Sequence, residues 1–386
     1  MTQPITFQTI FKQHPDGQLF SPGRVNLIGE HTDYSGGVVL PMALSIGING
    51  SYRKNNAQCI NAYSTSFPQL GTLTIDFNDL TYQSHLSFGN YLKGALHVLK
   101  EAGYKITQGF DILIDSTLPK SAGLSSSAAL EMLVLTIIRS VNNLDITDTM
   151  LVRYAKKIEN DFMNVSSGIM DQYAVAFARK NHALFLNTSS LVHEHAPINM
   201  DDYRLVMMNT NKDRDLENSD YNERFESIAR GQSVLTALTN KASLGDISIE
   251  TFEHYHDQIN DSFVQKRLQH VIHENQRTKD AFDALRRHDY QTFGQLMQAS
   301  HQSLRDDFEV SCDELDYLVE ENLTLGATGA RMTGAGFGGT MIALYHIDDL
   351  PSSFDDLKRK YKEKFKRQLD IYTAKSSDGI LIKGRE

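Results

Sequence analysis

The segment from residue 23 to residue 34 places chemically reactive side chains close together. It carries a cation, two carboxylates, an imidazole and a phenol, supplied by Arg24, Glu30, Asp33, His31 and Tyr34. A hairpin needs only a short turn such as Asn-Gly, whereas this loop has enough donors and acceptors to surround a small polyol. A charged loop considered alone is more often a solvated surface loop. Its role therefore depends on the other motifs of the chain.

A second segment, Ala122–Ala129, consists almost entirely of small residues and includes three consecutive serines. The apolar run from Leu130 to Ile138 follows it and predicts a buried helix. Backbone N–H groups and the dipole at a helix N-terminus favour a phosphate, and the serine hydroxyls can meet phosphate oxygens or Mg²⁺. No Gly-Lys-Ser/Thr closes the segment, which excludes a Walker loop. A serine-rich helix start can also be a simple N-cap, and this alternative stays open.

The third glycine-rich segment is Gly329–Gly339, with the sequence GARMTGAGFGG. Its glycines could be mistaken for the Gly-x-Gly-x-x-Gly dinucleotide fingerprint, which lies between an early strand and a helix. Here a strand-like stretch, Thr340–Tyr345, follows directly, and the segment lies near the C-terminus. A dinucleotide site is therefore rejected, and a structural glycine turn remains as the alternative.

Strands and helices must position these three segments. The first loop is predicted to connect two strands within Ser21–Leu44, and Phe110–Asp115 alternates as a half-buried strand before the serine segment. Leu151–Phe162 has helical periodicity with Glu159 at the edge of its apolar stripe, and residues 164–171 break that helix. Further strands are predicted at Ala183–Asn187, Arg204–Asn209, Met341–Tyr345 and Gly379–Ile382, and helices at Ser219–Ala237, Ile249–Asn260, Val264–Gln276, Thr278–Arg286, Tyr290–Leu304 and Cys312–Asn322. The predicted fold class is α+β.

Length and charge exclude several classes of protein. With 386 residues the chain can form two domains, and its formal charge of −10 argues against a general nucleic-acid or membrane-surface binder. Cys59 and Cys312 lie far apart and have no partner at metal-ligand spacing, which favours ordinary buried thiols in a reducing compartment. Residues 1–17 lack the pattern of a signal peptide, and the longest apolar run, Met132–Ile138, is too short to span a bilayer. We expect a cytoplasmic enzyme or binding protein.

Five motifs, in order along the chain, resemble those of the galactokinases. Residues 23–34 (GRVNLIGEHTDY) resemble the galactokinase signature, and residues 123–129 (GLSSSAA) resemble the nucleotide loop of the wider GHMP kinase superfamily. Residues 168–172 (GIMDQ) and 332–339 (MTGAGFGG) resemble two more of its segments. The fifth match is a strand and helix on the sugar side, with Asn209, Thr210, Asn211, Ser219, Tyr221, Asn222 and Arg224.

The resemblance implies an α+β fold with the two-lobed GHMP kinase architecture. A mixed-sheet N-terminal lobe would cover residues 1–195, and a helix-rich α/β C-terminal lobe would cover residues 196–386. ATP and sugar would then meet in an active site between the lobes. The implied reaction is ATP-dependent phosphorylation of the anomeric hydroxyl of α-D-galactose to galactose 1-phosphate.

The matching motif positions imply a role for each site residue. Asp171 would accept the hydroxyl proton or orient the hydroxyl, and Arg24 would orient it and offset negative charge. The implied sugar contacts are Glu30, His31, Asp33, Gly168 and Tyr221. The implied ATP contacts are Gly123, Leu124, Ser125, Ser126, Ser127 and Ala128. Ser126 and Glu159 would hold Mg²⁺, which prefers hard oxygen ligands.

The expected partners are galactose and Mg-ATP, with no nucleic acid and no membrane, and a monomer is expected although an oligomer is left open. Two alternative functions remain. The first is a kinase for a related sugar such as N-acetylgalactosamine, because no linear motif reports the room beside the C2 substituent. The second is a galactose and ATP sensor without kinase activity. Such sensors lack part of the serine-alanine loop, which is intact here at residues 125–129.

Overall fold

The computed structural model describes residues 5–119, 122–212 and 217–381. In chain order its strands are β1 Gly17–Asn26, β2 Val38–Val39, β3 Pro41–Asn55, β4 Cys59–Ser64, β5 Leu73–Asp76, β6 Gly109–Ser116, β7 His182–Asn187, β8 His193–Pro197, β9 Tyr203–Asn209, β10 Gly329–Thr333, β11 Thr340–His346 and β12 Asp370–Ala374. Its helices are α1 Phe7–Phe11, α2 Gly89–Glu101, α3 Ser126–Val141, α4 Asp148–Lys157, α5 Met170–Phe177, α6 Glu217–Thr239, α7 Ile249–Tyr255, α8 Ser262–Arg286, α9 Tyr290–Asp306, α10 Asp313–Thr324 and α11 Asp355–Phe365.

The strands form three sheets. The first has the order β1-β3-β6-β4-β5 and is mixed, because β4 runs parallel to β6 while its other pairs are antiparallel. A small antiparallel sheet has the order β2-β7-β8, and a four-stranded antiparallel sheet has the order β10-β11-β9-β12. The segment between β9 and β10 contains α6 to α10. The predicted α+β class, with a mixed sheet first and helices later, is confirmed.

Helix α3 is the element that positions the serine segment. Its residues from Ala128 to Ile138 are buried with the exception of Thr136, as predicted from an apolar run without a polar face. It packs against β1 and β3 and against α2, α4 and α5. These contacts hold the helix firmly, so the serine loop is presented from a rigid support.

Two helix predictions and one strand prediction differ from the structure. The two helices predicted over Val264–Gln276 and Thr278–Arg286 are one continuous helix, α8. The division at Arg277 was wrong because the sequence there has no glycine or proline to interrupt the backbone hydrogen bonds.

The strand predicted at Gly379–Ile382 is also wrong for the described residues 379–381, and residue 382 lies outside the described part. The N–H groups of Gly379, Ile380 and Leu381 donate to carbonyls at the end of α5 and just after it. These donors are therefore unavailable to a sheet ladder. The strand that completes the C-terminal sheet is β12, which ends five residues before Gly379, and it was not predicted.

The segment directly after β12 returns to the first sheet. After β12, the Ser45 N–H donates to the Lys375 carbonyl at 2.7 Å and the Ser377 N–H donates to the Ala43 carbonyl at 3.0 Å. The predicted domain boundary between residues 195 and 196 falls inside β8, and it stays a prediction. Across the described ranges, none of the helices has the length and apolar character needed to cross a bilayer.

Candidate active site

The centre of the site is an ion pair between Arg24 and Asp171. Arg24 lies near the end of β1, and Asp171 lies in the first turn of α5, 147 residues later. The guanidinium donates from Nε to Oδ1 and from Nη2 to Oδ2, both at 2.8 Å. This two-pronged geometry fixes the plane of the carboxylate. The Arg24 side chain is 6% exposed and the Asp171 side chain 27% exposed, so the carboxylate remains open to a ligand.

The serine loop meets this ion pair. Arg24 Nη1 donates to the Gly123 carbonyl at 2.9 Å, and the hydroxyl of Ser125 donates to Asp171 Oδ2. Gly123 and Ser125 both adopt positive φ, +69° and +59°, which turns the chain sharply into α3. Asp171 thus accepts from three protein donors and keeps roughly one of its four lone-pair positions. That position can accept a hydrogen bond from a substrate hydroxyl.

The first N–H groups of α3 are available to a ligand. Ser125 is the N-cap residue, yet within the described residues no side-chain hydrogen bond caps this helix, because the Ser125 hydroxyl is directed to Asp171 instead. Helix N-termini leave their first N–H groups without intrahelical partners. The loop is also held by Thr340, which lies 218 residues later in the chain and whose hydroxyl donates to the Ala122 carbonyl at 2.6 Å. The geometry is that of an anion site and not of a self-capped helix.

Glu30 joins the first loop to the third glycine segment. Its carboxylate accepts from Thr333 Oγ1 at 3.0 Å, from the Gly334 N–H at 2.7 Å and from Arg331 Nη1 at 3.0 Å, and Asn26 donates a further short bond. Glu30 is 2% exposed. Four donors fill the roughly four lone-pair positions of a carboxylate. The side chain therefore has a defined position before any ligand is present.

His31 also bridges the first and third segments. Its Nδ1 lies 3.0 Å from the Tyr34 hydroxyl and its Nε2 lies 3.2 Å from the Ala335 carbonyl oxygen. Since that carbonyl can only accept, Nε2 carries the proton and Nδ1 accepts from Tyr34. Burial, with a smaller effect from His270, lowers the pKa of His31 to about 3. The imidazole is therefore neutral near pH 7, and both of its nitrogens already have partners.

Asp33 faces the GIMDQ segment at very close range. A β-carbon added to Gly168 would lie 1.6 Å from Asp33 Oδ2, so only glycine leaves room for the carboxylate. Burial, together with the negative charge of Asp171, raises the pKa of Asp33 to about 6. A carboxylate with this pKa changes charge just below neutral pH.

These residues line one polar cleft of about 280 Å³. The structure brings every predicted catalytic and sugar residue into its wall, namely Arg24, Glu30, His31, Asp33, Gly168, Asp171 and Tyr221. Tyr221 comes from α6, and its ring centroid lies 5.9 Å from that of His31. Burial raises the pKa of the Tyr221 phenol further above its usual value, so it remains protonated.

Glu159 lies on a single π-helical turn, Ile158–Phe162, that extends α4. It accepts from Ser127 Oγ at 2.6 Å, from Ser167 Oγ at 2.7 Å and from Gln172 Nε2 at 2.9 Å. Burial is the main cause that raises the pKa of its carboxyl group. The hydrogen bond links Glu159 to Ser127, the neighbour of the predicted metal ligand Ser126. One lone pair of Oε1 and the Ser126 hydroxyl remain as hard oxygen donors, which suits Mg²⁺.

Few protein groups converge on the possible Mg²⁺ position near Ser126 and Glu159. Within the described parts of the chain, no group of three or more His, Cys, Asp or Glu side chains is arranged to hold a metal ion. Mg²⁺ characteristically binds through one or two carboxylates together with substrate phosphates and water. The donor set therefore fits a Mg²⁺ ion that arrives with a nucleotide.

A second cleft, of about 550 Å³, lies on the other side of the serine loop. Ser126 and Ser127 form one end, and its walls include the aromatic rings of Phe67, Tyr82, Phe88 and Tyr91. Because Ser127 donates to Glu159 of the polar cleft, the two clefts meet at that hydrogen bond. The aromatic walls were not predicted from the sequence, because the four rings are spread over residues 67–91 and share no motif.

Sequence reasoning also missed several residues behind the site. Gln172 bridges two buried carboxylates, donating to Glu131 at 3.3 Å and to Glu159 at 2.9 Å. Arg331 is fully buried and pairs with Glu30 at 3.0 Å. Gln172 lies inside the GIMDQ stretch and Arg331 directly precedes the MTGAGFGG stretch, so the motif matches pointed close to these positions without giving their roles. Ser167, just before GIMDQ, had no comparable signal.

Comparison with known proteins is consistent across the chain. The model of the GHMP kinases N terminal domain matches residues 90–179, the galactokinase galactose-binding signature matches residues 5–54, and the GHMP kinases C terminal model matches residues 281–367. The galactokinase of Clostridium perfringens (strain SM101 / Type A) is 42% identical over 375 residues, and that of Staphylococcus carnosus (strain TM300) is 40% identical over 375 residues. Each alignment covers 97% of this chain and 97% of the relative.

Solved structures of kinases have the same fold. The crystal structure of Lactococcus lactis galactokinase complexed with galactose matches with a TM-score of 0.92 at 40% identity, covering 97% of both chains. The Methanococcus jannaschii mevalonate kinase matches with a TM-score of 0.60 at 19% identity, which is a likeness of fold alone. The predicted GHMP kinase fold is confirmed. The chain belongs to the galactokinase family of the GHMP kinases.

Proposed function

We propose that the protein transfers the γ-phosphoryl group of ATP to the anomeric hydroxyl of α-D-galactose, giving galactose 1-phosphate and ADP. The observation that carries the proposal is the position of Arg24, whose guanidinium bonds Asp171 in the polar cleft and the Gly123 carbonyl of the serine loop. A sugar hydroxyl and a phosphate held on these two sides would meet beside one cation. The galactokinase relatives, one of them complexed with galactose, support the same reaction.

Asp171 and Arg24 are the proposed catalytic residues. The open lone pair of Asp171 accepts the hydrogen bond of the anomeric hydroxyl, which places the oxygen for attack on phosphorus and gives its proton an acceptor. Phosphoryl transfer can pass through a loose transition state, so orienting the oxygen is as much a part of this role as removing the proton. Arg24 offsets the charge that develops on the transferring oxygens.

The sugar pocket is proposed to consist of Glu30, His31, Asp33, Gly168 and Tyr221. Asp33 offers a charged acceptor above pH about 6, and the Tyr221 phenol can donate. Glu30 and His31 line the pocket and are hydrogen-bonded to other protein groups. They therefore form a wall of fixed shape that contacts the sugar. An epimer with a misdirected hydroxyl would leave a buried acceptor unpaired, which disfavours its binding.

The nucleotide is proposed to occupy the second cleft. Its aromatic walls suit a flat base, and its serine end lies at the N-terminus of α3, where phosphates are favoured. The proposed phosphate-binding residues are Gly123, Leu124, Ser125, Ser126, Ser127 and Ala128. Ser126 and Glu159 would hold Mg²⁺. When bound, this ion would neutralise charge on the phosphate oxygens.

We also propose that the protein acts in the cytoplasm as a monomer, with lobes over residues 1–195 and 196–386. Cys59 and Cys312 are both free thiols, which is typical of a reducing compartment. Light scattering of the purified protein would measure the oligomeric state directly.

Phosphorus NMR tests the reaction. The purified protein is incubated with Mg-ATP and, separately, with galactose, glucose, mannose and N-acetylgalactosamine. We expect an anomeric phosphate signal chiefly from galactose, with ADP formed in equal amount. Product chiefly from N-acetylgalactosamine would support the related-sugar kinase, and galactose binding without product would support a sensor.

A further inference from the structure

Helix α8 carries a buried polar face that contacts the backbone of residues 29–38, which we call the sugar loop because they include Glu30, His31 and Asp33. This face lines neither cleft. The face consists of His270, Glu274 and Asn275, which are 0%, 0% and 2% exposed. We call it the loop-supporting face. The three side chains lie about 240 residues from the loop in sequence, so the motifs that resemble galactokinases do not include them.

Glu274 holds the start of the loop. Its Oε1 accepts from the Gly29 N–H at 3.0 Å and from Ser300 Oγ at 2.5 Å, and its Oε2 accepts from Arg277 Nε at 2.7 Å. Burial alone would raise its pKa, but Arg277, His270 and Arg331 outweigh it and lower the pKa to about 2. The contact to the loop is thus a charge-assisted hydrogen bond in a dry environment.

Asn275 holds the end of the loop. Its Oδ1 accepts from the Val38 N–H at 2.8 Å. A β-carbon on Gly37 would lie 2.3 Å from the same oxygen, so the loop backbone passes directly over the amide. His270 contacts the middle of the loop, with Nε2 lying 3.1 Å from the Glu30 carbonyl oxygen. The loop is therefore held at three backbone points by one rigid helix.

These contacts act on the residues that would meet the sugar. Glu30, His31 and Asp33 all lie between the two anchored N–H groups, and His31 adopts a positive φ of 62° that a β-carbon disfavours. Such a conformation persists only where its surroundings determine it. The serine loop is held separately, by Arg24 and by Thr340.

We propose that the loop-supporting face sets the affinity for the sugar, and that Glu274 is a positioning residue acting through the backbone of residues 29–38. The inference rests on the proposed function, because it names the sugar as the ligand whose binding the face controls. It predicts a selective effect, in which the KM for galactose rises while the KM for ATP stays nearly constant.

Two variants test the face independently. In Glu274→Gln the new amide NH₂ faces one of the donors that bond the carboxylate in the unmodified protein, so one hydrogen bond is replaced by a repulsive contact between two donors. Asn275→Ala removes the acceptor of the Val38 N–H. For each variant we expect the KM for galactose to rise about tenfold or more. We expect kcat to change less than about threefold and the KM for ATP less than about twofold, the pattern of lost uniform binding of one substrate. Isothermal titration with galactose measures the same loss without turnover.

A matched control separates positioning from general destabilisation. Asn322 is a fully buried asparagine of α10 that accepts from the Tyr345 hydroxyl at 2.8 Å and lines neither cleft. We expect Asn322→Ala to lower the melting temperature but leave the KM for galactose unchanged. Equal changes in all kinetic constants for the control and for the two face variants would overturn the proposal.

Amide hydrogen exchange gives a readout that needs no sugar. In the ligand-free protein, peptides covering residues 27–40 should exchange faster in Glu274→Gln and Asn275→Ala than in the unmodified protein, while peptides covering residues 122–130 should not. If the unmodified protein phosphorylates galactose and neither variant changes the KM or the exchange, the inference fails and the proposed function stands. If the unmodified protein phosphorylates no sugar, the proposed function fails, and with it the assignment of the face to sugar affinity.

Discussion

The two clefts on either side of the serine loop are built in opposite ways. The polar cleft is lined by side chains that already bond one another, such as Arg24 with Asp171 and His31 with Tyr34. The second cleft has aromatic walls, and its polar groups are mainly hydroxyls. We therefore expect binding in the first cleft to depend on fixed directions of hydrogen bonds, and binding in the second cleft to depend on shape and apolar area.

This difference predicts unequal sensitivity to mutation. Removing one partner in the polar cleft leaves another buried group unpaired, which costs more than the contact itself contributed. Removing one ring in the second cleft loses area and leaves no unpaired charge. Four substitutions test this contrast, in order of decreasing expected effect.

Asp171→Asn should have the largest effect. The amide keeps the size of the side chain but cannot take a proton, and its NH₂ faces the donors of Arg24. We expect kcat to fall about 10³-fold with the fold retained, as measured by steady-state kinetics and circular dichroism. Asp111→Asn is the control, because Asp111 accepts from Asn55 and Asn61 within the first sheet and lines neither cleft. Near-normal turnover in a folded Asp171→Asn protein would remove Asp171 from the mechanism.

Gly168→Ala should have the second-largest effect. The new methyl group would overlap Asp33 Oδ2, so the carboxylate must move away from the pocket. We expect kcat/KM for galactose to fall about 10²-fold, since a displacement of about 1 Å in a site has effects of this size. Gly71→Ala serves as a control for backbone strain without a clash, because Gly71 has a φ of +62° and no heavy atom lies within 4 Å of the added carbon; it should lower stability but leave the KM for galactose unchanged. An unchanged KM for galactose in Gly168→Ala would show that Asp33 does not need its present position.

Asp33 should also make sugar binding depend on pH. Its pKa of about 6 lies above the usual value, so the charged acceptor is present above pH 6 and is lost as the pH falls through 6. We expect the KM for galactose to rise below pH 6. In Asp33→Asn the KM should be about tenfold higher at pH 7.5 and should no longer change between pH 5 and 7. A pH dependence that persists in Asp33→Asn would assign the titration to another group.

Tyr91→Ala should have the smallest effect of the four. It removes one aromatic wall of the second cleft without breaking a buried ion pair. We expect the KM for ATP to rise about fivefold and the KM for galactose to stay constant. Tyr104→Ala, which removes an aromatic contact to Tyr154 outside the cleft, is the matched control. A larger loss than that of Asp33→Asn would contradict the contrast between the clefts.

The same contrast explains what could be predicted from the sequence. The polar cleft comes from short, dense motifs, and each of its predicted residues lies in the cleft wall. Helix α3 was predictable because its apolar run has no polar face. The second cleft was not predictable, since Phe67, Phe88 and Tyr91 are ordinary core residue types whose meeting depends on the tertiary fold.

Long-range contacts to the backbone also could not be predicted from the sequence. The segment after Gly379 has the apolar residues of a strand, but its N–H groups donate to the end of α5 and to Ala178 just beyond it. Likewise, nothing local to Glu274 or Asn275 indicates that these side chains meet a loop about 240 residues upstream. Pattern reasoning reports periodicity within an element, whereas these contacts are decided by which elements become neighbours.

The π-helical turn at Ile158–Phe162 has a consequence for how the chain tolerates changes in length. In this turn the Met163 N–H donates to the Ile158 carbonyl, five residues back, so it contains one residue more than a regular helical turn. Deleting a single residue here would restore regular winding and rotate the chain on one side by about 100° relative to the other. Glu159 would then lose its alignment with Ser127 or with Ser167. A one-residue deletion in this helical region would thus break the hydrogen bond at which the two clefts meet.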